Sequence, residues 1–85
     1  MVASMRYDAA IDAIETEANE AQEKYGDFAS MHEAYGVLAE EVAELFEAIR
    51  EKQRQPTRPR AIRGEAIQIA AVALRIAEQA NRVFR

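Results

Sequence analysis

The sequence predicts an all-α fold, an antiparallel three-helix domain that assembles with copies of itself into a helical-bundle homo-oligomer. Apolar residues recur at three- and four-residue intervals in three separate segments, the period of a helix buried along one face. Two breaks divide those segments, one at Gly26 and one holding Pro56 and Pro59. Links this short set successive helices antiparallel. Size supplies the third observation: 85 residues without a cysteine give a small core with no disulfide or thiolate zinc site to reinforce it. Self-association is the remaining remedy.

The first helix is expected over about residues 5–24, where Ala9, Ala10, Ala13, Ile14 and Ala18 alternate with Asp12, Glu15, Glu17, Glu20 and Glu23. Gly26 ends it, because glycine reaches positive φ without steric cost. The second helix is expected over about 30–53. Ser30 and Glu33 have capping-box spacing at its start, and Met31, Tyr35, Leu38, Val42, Leu45 and Ile49 form one stripe facing a neighbour. The segment Gln53–Pro59 is the clearest break, since each proline disfavours helical backbone before it. Thr57 is placed to cap the third helix, expected over about 59–81.

That third helix carries two apolar stripes. One is Ile62, Ala66, Ile69, Ala73, Ile76 and Ala80, and the other is Ile67, Ala70, Ala71 and Leu74. The expectation is that the second stripe lies in a subunit interface, giving a homodimer or homotetramer. The plainer arrangement has this helix in the middle of the monomer.

Fifteen acids against eleven bases give a net charge of -4, which disfavours binding along a nucleic-acid backbone. No zinc-finger spacing, recognition helix or glycine-rich phosphate loop is present, so no nucleic-acid partner is expected. No apolar run approaches the ~18 residues of a membrane span, and no signal-peptide pattern is visible. A cytoplasmic protein without a membrane partner is the expectation. The bases are nonetheless gathered locally: Arg50, Lys52, Arg54, Arg58, Arg60 and Arg63 surround the second break.

Glutamates crowd the second helix at 40, 41, 44 and 47. At about 100° per residue, Glu41 borders the apolar stripe and Glu44 lies one step further round. Glu65 and Gln68 stand at the matching angles on the third helix. Packed antiparallel, the two flanks would surround a space of ion size with three carboxylates and an amide. Mutual repulsion there calls for protons or a hard cation, and oxygen ligands of this kind suit Mg²⁺, with Mn²⁺ as the alternative. Acids at such spacings also make ordinary solvated faces. Glu65 argues against that, as the only acid between Glu51 and Glu78.

Taken together, Glu41-Val42-Ala43-Glu44 and Glu65-Ala66-Ile67-Gln68 on successive helices resemble the all-α nucleoside triphosphate pyrophosphohydrolases, the MazG-like superfamily. Its signature is Glu-x-x-Glu followed by Glu-x-x-Asp. The phrase His32-Glu33-Ala34-Tyr35-Gly36-Val37-Leu38-Ala39-Glu40-Glu41 is similar to a short subgroup from phage and bacteria. The resemblance implies Mg²⁺-dependent hydrolysis of a nucleoside triphosphate to the monophosphate and pyrophosphate. It also implies that Glu41, Glu44 and Glu65 hold metal and that Glu41 or Glu44 orients or deprotonates the attacking water. Gln68 departs from the pattern, standing where the family has Asp. Its amide oxygen still coordinates Mg²⁺ but brings no charge, so a catalytically reduced homologue, acting as an oligomeric nucleotide-binding or interaction module, is the alternative.

On that reading Lys24, Lys52, Arg54, Arg58 and Arg63 are the bases available for the outer phosphates. Tyr25, Phe28 and Tyr35 are the rings available to stack on a base, with core packing as the competing role. His32 reads as a surface or capping contact, and Phe46 and Phe84 as packing residues. Gly36 and Gly64 cost helix stability relative to alanine, and a close helix approach or a nearby ligand would account for them.

Overall fold

A computed structural model describes residues 6–54 and 59–83, with side chains described for 6–50 and 60–82. Three helices make up the described residues: α1 (Asp8–Tyr25), α2 (Met31–Arg54) and α3 (Pro59–Val83). No strand occurs among the described residues. Tyr7, which precedes α1, makes no side-chain cap, and Asp8 is the acid in the first turn, placed favourably at the positive end of the helix dipole. Thr57 lies outside the described residues.

The α1–α2 link is closely specified. Gly26 has φ 70° and ψ -162°, and its N–H donates to the Gln22 carbonyl at 2.9 Å. Such a conformation is nearly exclusive to glycine. At the start of α2 the Glu33 N–H donates to Ser30 Oγ at 3.0 Å. The Glu33 carboxylate accepts from the Ala29 N–H at 2.9 Å, one residue earlier than in the usual reciprocal cap.

α3 packs against both other helices, while α1 and α2 do not pack on each other. Its two apolar stripes therefore serve two neighbours within one chain, which corrects the expectation that one of them lies in a subunit interface. Ala71 and Val72 are buried, and Leu74 is the only large apolar side chain that α3 leaves exposed among the described residues. Glu44 and Glu65 meet across α2 and α3 and Phe28 meets Gln79, so these two helices run antiparallel. Gln22, late in α1, bonds Arg75, late in α3, while Asp12 and Ala13 border the same depression as Arg63 and Gly64. α1 and α3 are thus parallel.

A second correction concerns α2. Ala34 is fully buried in a cluster with Phe28 and Val72, flanked by Val37, Leu38 and Ile76. The absence of a large side chain at 34 lets the link and α3 come close, and this draws the Ala34–Leu38–Glu41 side of α2 inward. Tyr35, Val42, Phe46 and Ile49 are turned outward and are 70%, 49%, 58% and 42% exposed. Only one edge of the expected stripe is covered. Gly36 and Gly64 have open space where a Cβ would stand, so neither marks a close helix approach.

Three α3 side chains fasten the link. Gln79, itself buried, accepts from the Phe28 N–H and donates to the Phe28 carbonyl, both at 2.9 Å. Arg75 lies over the Phe28 ring at 4.4 Å and donates to the Gly26 carbonyl at 2.9 Å. Arg82 grips Asp27 with two bonds of 3.0 Å. These bonds hold the Asp27 carboxyl below the usual carboxylate range, helped by a bond from Gln22.

Gln79→Ala would leave two buried backbone groups of Phe28 unpaired, at a cost of about 2 kcal/mol. The expected fall in Tm is roughly 10 °C for a domain of this size. Circular-dichroism melts check this, and an unchanged Tm would refute the role given to Gln79.

Candidate metal centre and adjoining cleft

Antiparallel packing of α2 on α3 brings Glu41, Glu44 and Glu65 together, with one carboxylate oxygen of each within 4.8 Å of the others. Glu44 is exposed, and Glu41 and Glu65 are half-buried. The grouping follows from helix geometry: Glu41 and Glu44 are one turn apart on a single face, and Glu65 meets them from α3. Glu47 is turned to Arg50 instead, at 3.2 Å.

The electrostatics are those of a site short of positive charge. Burial pushes the Glu41 carboxyl up from its ordinary value, and the charges of Glu44, Glu65, Glu40 and Glu17 push it further. Burial also raises Glu65, followed by the charge of Glu44 and by a hydrogen bond to Glu44 that forms when Glu65 is protonated. Glu41 Oε2 is buried without a hydrogen-bond partner. An unpaired buried carboxylate oxygen is costly, and a hard cation satisfies it while relieving the repulsion. Three carboxylates at this spacing fit a divalent ion.

Because α1 and α2 stand apart on α3, a cleft of about 550 Å³ opens between them. The link closes one end, where Tyr25, Asp27 and Phe28 line it. Gln68, Val72 and Arg75 belong to its floor, and Glu41 and Glu17 form facing walls. Gln68 therefore lines the cleft together with Glu41, one helical turn from Glu65. It also borders, with Arg63 and Glu17, a shallower depression at the start of α3.

The bases and rings singled out from the sequence divide clearly. Arg63 is exposed beside the depression that shares Gln68 with the cleft. Lys24 is exposed at the opposite end, its ammonium 5.2 Å from the centre of the Tyr25 ring. Arg58 lies outside the described residues, as do the side chains of Lys52 and Arg54. Tyr25 lines the cleft and is exposed, so its ring is accessible. Phe28 is 8% exposed beneath Arg75 and packs in the core, the competing role the sequence offered for it. Tyr35 is exposed but does not border the cleft. His32 is exposed in the first turn of α2.

Two residues of the cleft were not legible in the sequence. Glu17 faces it from α1, half-buried, and its charge reaches Glu41. Nothing in the residue pattern separates it from the other acids of that helix. Arg75 supplies positive charge to the floor, and the helical period of α3 alone does not reveal that it is drawn in by a backbone carbonyl.

No family model, no curated protein and no solved structure matches this chain.

The raised carboxyls give a signed expectation. In metal-free protein, Glu41 and Glu65 cost stability while ionised, and the cost is relieved as pH falls and they bind protons. At pH 7 without metal, Glu41→Gln should melt above wild type, and the gap should close on acidification toward pH 4. Added Mg²⁺ should raise the Tm of wild type and leave that of Glu41→Gln almost unmoved. Equal melting and an equal Mg²⁺ response in the two proteins would rule out a strained cation site.

Proposed function

We propose that this chain is a Mg²⁺-dependent hydrolase that splits a nucleoside triphosphate into the monophosphate and pyrophosphate, as its resemblance to the MazG-like superfamily implies. The observation that carries the reading is the convergence of Glu41, Glu44 and Glu65 from two helices, with Glu41 also lining a cleft together with Gln68. The cleft volume falls within the ~300–1,000 Å³ of small-molecule sites. Its mixture of acids, one arginine and one exposed tyrosine ring supports a charged ligand that also has a flat face.

A bound divalent cation would neutralise the triphosphate and lower the pKa of a water. Glu41, Glu44 and Glu65 would hold that ion, and the Gln68 amide oxygen would contribute a neutral fourth ligand. Glu41 or Glu44 would orient that water and take its proton as the water oxygen bonds to the α-phosphorus and pyrophosphate leaves. Mn²⁺ meets the same ligand demands. Of the bases singled out from the sequence, Arg63 borders the depression that shares Gln68 with the cleft and would hold outer phosphates, Arg75 adds positive charge on the cleft floor, and Tyr25 offers the stacking surface. The working form is a homo-oligomer, supported by the amount of large apolar surface one copy leaves exposed.

Gln68 favours a second reading, a catalytically reduced relative that binds nucleotide and metal without turnover. Pyrophosphate release across a nucleotide panel, alongside calorimetric titration with Mg²⁺ and a non-hydrolysable triphosphate, separates the two. Wild type is expected to release pyrophosphate only with Mg²⁺, and Glu41→Gln or Glu65→Gln to abolish it. Binding without release supports the reduced relative, and activity retained in both variants removes the site. Gln68→Asp adds a charge beside the ion and should tighten Mg²⁺ binding about tenfold, or ~1.4 kcal/mol. Unchanged affinity would show that residue 68 does not face the ion.

A further inference from the structure

Arg75 is the only base among the described residues that lines the cleft, and its guanidinium is fixed in place. Nε donates to Gln22 Oε1 at 3.2 Å and Nη2 donates to the Gly26 carbonyl at 2.9 Å. Guanidinium N–H bonds lie in the plane of the group, so these two acceptors set how that plane is oriented. The buried Phe28 ring covers one face, its centre 4.4 Å from the guanidinium carbon. We infer that the opposite face of Arg75 is the platform on which the flat base of the ligand stacks, at the link end of the cleft. The inference rests on the nucleotide reading above and adds the place of the base and the residue that holds it.

Three observations select a base over a phosphate for this position. The first is what the guanidinium has left to offer. Arginine grips phosphate best with parallel N–H bonds from one edge, and here Nε and Nη2 are already committed to Gln22 and Gly26. The second is the surrounding charge. Asp27 and Glu33 line the same end of the cleft, so a phosphate placed there would meet two carboxylates, whereas an uncharged base meets no such repulsion. Distance is the third. Gln68, which lines the cleft with Glu41, and Arg75 are seven residues apart on α3, or ~10 Å by helix rise. That is the scale from the first phosphate of a nucleotide, across its sugar, to its base.

A cationic plane suits the electron-rich face of a base, and nucleic-acid-binding proteins stack bases on arginine in this way. Tyr25 borders the same end, and Arg75 adds a second plane held by more contacts. Stacking reads ring area and not the hydrogen-bonding edge. Purine and pyrimidine triphosphates are therefore both accepted, the purine more tightly.

Calorimetric titration in Mg²⁺ with two probes tests this: a purine nucleoside triphosphate bridged by methylene between its α- and β-phosphorus atoms, and inorganic tripolyphosphate, which has no base. Wild type is expected to bind the nucleotide about tenfold more tightly. Arg75→Lys keeps the charge and loses the plane, so it should bring the nucleotide down to the tripolyphosphate affinity and leave tripolyphosphate itself unmoved. Equal weakening of both probes would make Arg75 a phosphate ligand or a purely structural residue and overturn the inference. A second measurement needs no variant: in wild type, the Arg75 Nε–H proton resonance should move upfield under the ring current of bound nucleotide and stay in place with tripolyphosphate. An unmoved resonance in the nucleotide complex also overturns the inference. Neither measurement reads turnover. Nucleotide bound in this way without pyrophosphate release removes the proposed reaction alone, and release with equal affinity for the two probes removes the stacking platform alone.

Discussion

The architecture depends on the pair of hydrogen bonds between the buried amide of Gln79 and the backbone of Phe28. A turn between two helices usually lies at the surface with water to satisfy it. Here it is held down on a third helix 51 residues away in sequence. With Phe28 buried beside Ala34 and Val72, α1 leaves the link on one side of α3 and α2 on the other. The separation of the two outer helices, and with it the cleft, is a consequence of that anchorage. Arg75 and Arg82 reinforce it at Gly26 and Asp27, but both bonds are nearer to water and more readily exchanged for it.

The acidic centre shows the opposite economy. Among the described residues no ion pair compensates Glu41, Glu44 and Glu65, and packing α2 on α3 brings them together. A stability-optimised helix pair would put alanine or lysine at such positions. Keeping a repulsive cluster beside a cleft that one of its members lines is the pattern of a site whose missing charge comes from a ligand.

How much of this was legible in the sequence follows from what each signal encodes. Helix existence, the Ser30–Glu33 cap and the Gly26 stop were readable because they are local, fixed by spacing and by residue type. The Glu41, Glu44 and Glu65 grouping was readable because two helical wheels and one antiparallel packing suffice to build it. The facing of α2 was not, since an apolar stripe that spans a third of a helix does not say which of its edges meets α3. Ala34 decided that, and a small residue leaves almost no trace in a hydrophobic pattern. The Gln79, Arg75 and Arg82 contacts were hidden for a related reason: the first two grip backbone atoms, and Asp27 is one acid among fifteen. Glu17 was one more acid on an acidic helix until α1 was seen to lie parallel to α3.

The position of α1 carries one more consequence. Ala18 is its only buried residue, and α3 is its only helical neighbour among the described residues. If α1 tilts away from its support, the packing of α2 on α3 and the three converging carboxylates stay in place, and only the aperture changes. The width of the cleft is thus set by how α1 lies on α3, and the geometry of the acidic centre by how α2 lies on α3.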